Sequence, residues 1–207
     1  MNKHLISALI VSCCTVSSAM AATITYDTRA INNPISVVPG FDYKAGWNNQ
    51  SSTITSQNLA DFNGSVVIPG YKVYGGYSHL SVGFNLSTAA NNWGFRLAPD
   101  AGLGGSIYLD GILLSTKTDD LWWGGSWTLA EILVATGLNL SSGNHIFEGF
   151  WAEACCNGGQ ALQYTTDNGK TWQSISGLAN PTVPIPAAAW LFSSALLGLV
   201  AAARRKA

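Results

Sequence analysis

The chain has 207 residues with ten basic and eleven acidic side chains, and both of its ends are apolar. Six of the basic residues and all eleven acids fall between residues 22 and 182, so this middle segment has a net charge of −5. Nucleic-acid binding requires clustered Lys and Arg against the phosphates. The charge therefore argues against a nucleic-acid partner, and the middle is long enough for one domain with a hydrophobic core.

Residues 1–21 have the pattern of a secretory signal peptide. Lys3 makes the start basic, an apolar run extends from Leu5 to Val11, and Ala19-Met-Ala21 is a signal-peptidase site. We expect cleavage after Ala21 and export of the remainder. Two less favoured alternatives are a buried N-terminal helix and a lipoprotein anchored at Cys13, which follows a loose lipobox.

Short apolar and β-branched runs between turn signals predict an all-β fold over residues 22–179, a jelly-roll-like antiparallel β-sandwich with one short helix. The predicted strands are Thr23–Tyr26, Ser65–Ile68, Leu80–Asn85, Trp93–Leu97, Ser106–Leu109, Ile112–Ser115, His145–Ala154, Ala161–Thr165 and Trp172–Ile175. Asp110-Gly111 and Asp167-Asn-Gly169 predict hairpins, because these residue types accept positive φ.

The predicted helix covers Thr128–Val134. Leu129, Ile132 and Leu133 have the i, i+3, i+4 spacing of an apolar stripe, and Gly137 can end the helix. We expect one or two turns that cross the end of the sandwich.

The segment before this helix combines carboxylates with indoles. Aromatic faces stack on sugar rings, and adjacent Asp side chains on a loop can hold Ca²⁺. The candidate metal ligands are Asp119 and Asp120, with calcium as the one cofactor considered. The candidate ligand-binding residues are Trp122, Trp123, Trp127 and Glu153. The alternative is a loop of solvated acids whose indoles pack against the sandwich.

Cys155 and Cys156 are the only cysteines left once the leader is removed. Thiols in an oxidising compartment do not stay free for long. Adjacent Cα atoms are about 3.8 Å apart, below the usual disulfide range, so a bridge between them is strained but chemically feasible. A vicinal disulfide is the leading interpretation, and an intermolecular bond or a reduced pair are the alternatives.

Residues Thr165 to Trp172 match one Asp-box, Ser-x-Asp-x-Gly-x-Thr-Trp, with Thr in place of Ser. A single copy excludes a sialidase-like propeller, in which such boxes recur. We interpret it as a hairpin in which Asp167 accepts hydrogen bonds from turn amides and Trp172 packs beneath. The sequence has no nucleophile signature, phosphate-binding loop or zinc spacing, so we expect a non-enzymatic protein.

The C-terminal segment from residue 180 to residue 207 has three parts. An extended linker leads to Val183-Pro-Ile-Pro186, seventeen uncharged residues follow at 187–203, and Arg204-Arg-Lys206 comes next. Seventeen residues are at the lower limit for a transmembrane helix. The basic cluster would remain cytoplasmic, which puts the domain outside.

This tail resembles the PEP-CTERM sorting signal, although Ile185 replaces the Glu of the name-giving Pro-Glu-Pro. The residues that carry the resemblance are Val183, Pro184, Pro186, Arg204, Arg205 and Lys206. It implies recognition by an exosortase, cleavage near the two prolines, and a Gram-negative bacterium that makes extracellular polysaccharide or biofilm. The alternative is an ordinary membrane anchor that is never cleaved.

The middle resembles two further groups. Residues Ser142 to Gln160 are similar to PEP-CTERM proteins marked by a Cys-Cys-x-Gly motif and to the late part of PA14-like β-sandwich domains. Trp93–Asp100 and Gly105–Gly111 look like the PA14 core strand pair. The resemblance implies a jelly-roll-like sandwich that is often linked to carbohydrate; some yeast adhesins of this type use an Asp pair with calcium.

These features predict an exported protein of the cell surface or extracellular matrix, held by its C-terminal helix until it is processed. The expected partners are signal peptidase, an exosortase, the inner membrane and extracellular polysaccharide. A structural biofilm or spacer protein without a specific ligand is the alternative, and a glycan-active enzyme is a more distant one.

Overall fold

A computed structural model describes residues 23–64, 76–128, 130–154 and 158–179. Its elements in chain order are β1 (Thr23–Ala30), α1 (Tyr43–Asn48), β2 (Thr55–Leu59), β3 (Asn63–Gly64), β4 (Gly76–Leu86), β5 (Ala90–Ala98), β6 (Asp100–Ala101), β7 (Gly105–Leu109), β8 (Ile112–Lys117), β9 (Leu121–Trp122), β10 (Leu133–Leu140), β11 (Gly143–Glu153), β12 (Gln160–Thr165), β13 (Gln173–Ser174) and α2 (Ser176–Ala179).

Four of the sequence predictions lie outside the described residues. They are the signal peptide, the strand Ser65–Ile68, the Cys155–Cys156 pair and the tail with its membrane segment at 187–203. Neither of the two helices in the described ranges has the length and apolar character needed to span a membrane.

The strands form two large antiparallel sheets and one small ribbon. The first sheet has the order β2-β1-β4-β11-β7-β8, and the second has the order β10-β5-β12-β13 with β3 paired to β12. Strands β6 and β9 make the two-stranded ribbon. The predicted all-β antiparallel sandwich is therefore confirmed.

The core lies between the two large sheets. In β1, Ile24 and Tyr26 are buried while the residues between them are partly exposed, which is the period of a strand with one face in the core. Across the gap, β5 contributes Trp93, Phe95 and Leu97 to the same cluster. Because alternate residues of β5 face inward, Gly94, Arg96 and Ala98 face away from the core.

Helix α1 covers the outer face of the six-stranded sheet. Asp42 caps it by accepting a hydrogen bond from the Ala45 backbone N–H at 3.0 Å. Tyr43 and Trp47, one turn apart, pack in a second cluster against the outward-facing Tyr77, Tyr108, Phe150 and Ala152. This sheet is consequently buried on both faces in its middle, as the fully buried strand β7 shows.

The helix predicted at Thr128–Val134 is wrong. The described residues of this segment contain no helix, and strand β10 begins at Leu133. Leu133 packs in the main core, whereas Ile132 packs on the other side of the second sheet beside Trp123. The two neighbouring apolar residues therefore pack on opposite faces of a sheet, whereas the apolar stripe of a helix would place both on the same face. The elements that were not predicted are the helices α1 and α2 and the strands β2, β3, β6, β9 and β10.

Both predicted hairpins are confirmed. Asp110 and Gly111 have φ of 51° and 80° in the turn between β7 and β8. Asn168 and Gly169 have φ of 61° and 85° between β12 and β13. These are the left-handed conformations that the residue types favour.

Candidate functional site

Three of the residues singled out in the sequence, Asp120, Trp122 and Glu153, lie at one end of the sandwich together with Asp100. Strand β9 contains Trp122, follows Asp119 and Asp120, and pairs with β6 so that Trp122 lies opposite Asp100. Glu153 ends β11, and its Oε2 atom accepts the Gly102 backbone N–H at 2.8 Å. We call Asp100, Asp120, Glu153 and Trp122 the acidic end.

Asp100 is the residue of this end that the sequence analysis missed. Only 8% of it is exposed, and its Oδ2 atom accepts the Gly158 backbone N–H. Burial, followed by the nearby Glu153 carboxylate, raises the pKa of Asp100 to about 6, and Asp120 acts in the same direction. Asp100 therefore changes its charge within a mildly acidic range. Its membership of the Trp93–Asp100 motif was the one sequence signal that pointed to it.

Trp122 presents its indole to solvent. The residue is 66% exposed, and its backbone N–H donates to Oε2 of Glu131 at 2.9 Å. The six-membered ring lies over Gly124, where an added Cβ would be 3.2 Å from the ring and where φ is +52°. Glycine at this position thus makes room for the ring and for the turn beneath it.

Trp123 points the opposite way from its neighbour. It is 9% exposed and packs with Ala98, Ile132 and Ala161 on the outer face of the second sheet. Its ring is 5.1 Å from that of Trp127, which is half-buried. Of the three indoles named in the sequence analysis, Trp122 alone lies open at the acidic end.

Asp119 and Asp120 are both exposed, and each raises the pKa of a different neighbour. Asp120 helps to raise the pKa of Asp100. The pKa of Tyr43 is raised to about 12, first by the burial of Tyr43 and then by the charge of Asp119. Calcium takes six to eight oxygen ligands. No group of three or more acidic, His or Cys side chains in the described ranges is arranged to hold a metal. These residues do not make a calcium shell by themselves, and calcium at this pair stays a prediction.

The cysteine motif connects two residues of the acidic end. Residues 155–157 lie outside the described ranges, so the predicted disulfide is untested. Before them, Glu153 is anchored to Gly102; after them, Gly158 is anchored to Asp100.

The Asp-box forms the predicted hairpin. Oδ1 of Asp167 accepts the Thr171 backbone N–H at 2.9 Å and the Thr165 hydroxyl at 2.7 Å, and Oδ2 accepts the Thr171 hydroxyl at 2.6 Å. The hydrogen bonds from Thr171 lead the causes that lower the pKa of Asp167 to about 2. The hairpin places Trp172 against Arg96, with the guanidinium carbon 4.4 Å from the ring centroid.

Several solved structures are similar to this chain, among them the following three domains. The PA14 domain of an antifreeze protein has 14% identity and a TM-score of 0.49, over 83% of this chain and 95% of that one. The PA14 sugar-binding domain of an RTX adhesin has 11% identity and a TM-score of 0.45, over 76% of this chain and 96% of that one. The A domain of epithelial adhesin 9 from Candida glabrata, in complex with Galβ1-3GlcNAc, has 10% identity and a TM-score of 0.45, over 77% of this chain and 88% of that one.

No family model matches the sequence, and no curated protein matches it. Two of these three structures are PA14 domains, the family that residues 93–111 and 142–160 resemble. All three TM-scores are below 0.5, so these similarities carry no information about function.

Proposed function

We propose that the chain is an exported, exosortase-sorted protein of the cell surface or extracellular matrix that binds polysaccharide without modifying it. The observation that carries the binding role is Trp122, an indole that is 66% exposed on a strand position paired with Asp100 of the acidic end. The two ends of the sequence support the route: a signal peptide through Ala21 and the tripartite tail from Val183 to Lys206.

An exposed indole next to carboxylates suits the two surfaces of a sugar. The C–H face of a pyranose stacks on an aromatic ring, while its hydroxyls donate to carboxylate oxygens. The ring of Trp122 is supported by Gly124, and its backbone is held by Glu131. A side chain already held in place loses little rotamer freedom on binding, so more of the stacking free energy appears as affinity.

Two of the three carboxyl groups at this end act as anchors, which supports binding over catalysis. Asp100 and Glu153 each accept a backbone N–H from a neighbouring loop. A retaining or inverting glycosidase needs two carboxyl groups open to the same glycosidic bond. The two histidines after the leader are also engaged: His145 with Asp110, and His79 between Asp27 and Glu148.

Binding of the full chain to immobilised neutral polysaccharides (a β-glucan, a galactan and a mannan) tests the proposal. We expect wild type to bind at least one, and Trp122→Ala to lose that binding while its melting temperature stays unchanged. Ile112→Ala is the matched control, because Ile112 is 69% exposed on another hairpin. Because hydrolysis would create new reducing ends, the number of reducing ends in the polysaccharide should stay constant while wild type is bound.

Two results would contradict this function. Binding that survives Trp122→Ala would move the sugar site away from the acidic end. If wild type is retained on none of the neutral polysaccharides, the structural spacer without a ligand becomes the better account.

A further inference from the structure

Arg96 lies between two indoles on the outer face of the second sheet. Its guanidinium carbon is 4.1 Å from the ring centroid of Trp127 and 4.4 Å from that of Trp172. Trp127 comes from the loop after β9, and Trp172 comes from the hairpin after β12. We call Trp127, Arg96 and Trp172 the indole–guanidinium stack.

The neighbours of Arg96 on this face of β5 are small, which leaves room for the stack. On one side is Ala98, covered by the cluster of Trp123 with which Trp127 packs. On the other side is Gly94, where an added Cβ would lie 2.6 Å from the carbonyl oxygen of Ala135. The backbone geometry and the absence of larger side chains therefore bring both indoles to the guanidinium.

Gln163 orients the guanidinium within its plane. Its Oε1 atom accepts hydrogen bonds from both Nε and Nη2 of Arg96, the first at 2.8 Å. Those two donors form one side of the guanidinium. The terminal side, where Nη1 and Nη2 present two parallel N–H groups, is left without a hydrogen bond from the described residues. That terminal fork is the part of arginine that binds a carboxylate through two hydrogen bonds.

No carboxylate in the described ranges forms an ion pair with Arg96. Burial alone lowers the pKa of its guanidinium, and no acidic side chain is among the causes. Asp167, in the hairpin that contributes Trp172, directs both carboxylate oxygens into its own turn. In a domain with more acids than bases, a cation that is stacked, oriented and left without an anion is arranged to receive one from outside.

We propose that the indole–guanidinium stack binds the carboxylate of an acidic sugar unit. The fork of Arg96 receives the carboxylate oxygens, and the rims of Trp127 and Trp172 contact the C–H groups of the sugar ring. The site is on the outer face of the second sheet and does not rest on sugar binding by Trp122. Stacking between aromatic rings also reduces the mobility of the cation, so less entropy is lost when the anion binds.

Calorimetry of the full chain with polygalacturonate at low salt tests the proposal. The methyl-esterified polymer is the matched neutral ligand, and galacturonate monomer separates a single carboxylate from a chain of them. We expect binding to the acid polymer that weakens with salt, weaker binding of the monomer, and none to the ester. Arg96→Gln should weaken binding about tenfold or more, since the bond replaced is charge-assisted.

Two variants separate the contribution of the planar fork to binding from the contribution of positive charge alone. Arg96→Lys keeps the charge but removes the planar fork, and should also bind more weakly than wild type. Lys170→Gln removes an exposed charge from the neighbouring hairpin and should change affinity less than about twofold, because a charge surrounded by water of high dielectric constant interacts weakly. Arg96→Lys also serves if Arg96→Gln fails to fold, as judged by melting temperature.

The proposal is overturned if wild type binds no polygalacturonate, if the ester binds equally well, or if Arg96→Lys keeps wild-type affinity. It is also overturned if Lys170→Gln weakens binding as much as the Arg96 variants do. Trp122→Ala should leave polygalacturonate binding intact, and Arg96→Lys should leave neutral-polysaccharide binding intact. The failure of either function is thereby distinguishable from that of the other.

Discussion

The Nδ1 atom of His145 lies 2.7 Å from Oδ2 of Asp110, which ties strand β11 to the turn between β7 and β8. The Nε2 atom of the same ring is 2.9 Å from the carbonyl oxygen of Ser141. A neutral imidazole has one N–H, but both neighbours of this ring accept hydrogen bonds, so the imidazolium alone satisfies both. Burial lowers the pKa of His145, yet these hydrogen bonds outweigh it and the pKa is raised.

We predict that His145 stabilises the fold more at low pH than at high pH. A folded pKa above the unfolded value of about 6.5 gives stability that is complete below that value and is lost as pH rises through the folded pKa. The melting-temperature difference between wild type and His145→Gln should be larger at acidic than at alkaline pH. His79→Gln is the control with the opposite trend, because burial lowers the pKa of His79. A difference independent of pH for His145→Gln would contradict this prediction.

Asp100→Asn should stabilise the protein above pH 6. The raised pKa of Asp100, about 6, means that its contribution to stability is complete below the unfolded value and is lost as pH rises through 6. Asn removes the buried charge and keeps an oxygen for the Gly158 N–H. The gain in unfolding free energy at pH 8 relative to pH 4 should be at most about 3 kcal/mol. Urea denaturation measures it.

Asp119→Asn serves as the control for that experiment, since it removes the same charge from an exposed position at the same end. An equal gain from both variants would show that relief of overall charge repulsion, rather than the burial of Asp100, is the cause.

Replacement of the adjacent indoles should have different effects on stability. Trp123 is 9% exposed, so Trp123→Ala leaves a cavity beside Ala98 and Ala161 and should cost about 3 kcal/mol or more. Trp122 is 66% exposed, and Trp122→Ala should change stability by less than about 1 kcal/mol. Chemical denaturation of both variants measures the contrast. Equal losses would mean that Trp122 is also a packing residue.

The sorting prediction rests on the basic cluster of the tail. Replacing Arg204, Arg205 and Lys206 by Gln should disturb membrane orientation and impair processing, because cytoplasmic positive charge sets orientation. Cell fractionation with mass determination of the released product measures this effect. Replacement of Lys117 and Lys170 in the β-sandwich by Gln is the control. Unchanged processing and release of the tail variant would argue against an exosortase route.

Local conformational preference was readable in the sequence. Asp110-Gly111 and Asn168-Gly169 adopt positive φ. Their residue types favour this conformation whatever the rest of the chain does, so the turns were predictable from the sequence. Parts of the long strands β4 and β11 were identified from apolar and β-branched runs between turn signals, which also depend on local residue type. Strand β2 is exposed along most of its length and had no such signal.

The sequence by itself thus determined the all-β class, the two hairpins and the composition of the end loops. The tertiary structure decided which adjacent residues pack on opposite faces of a sheet and which residues distant in sequence come into contact. Pairing with β5 turned the segment at Leu133 into a strand and sent Ile132 to the opposite face. Asp100 meets Glu153, and Arg96 meets Trp172, through contacts between residues far apart in the chain. Such contacts form only when the sheets are assembled, so no local pattern encodes them.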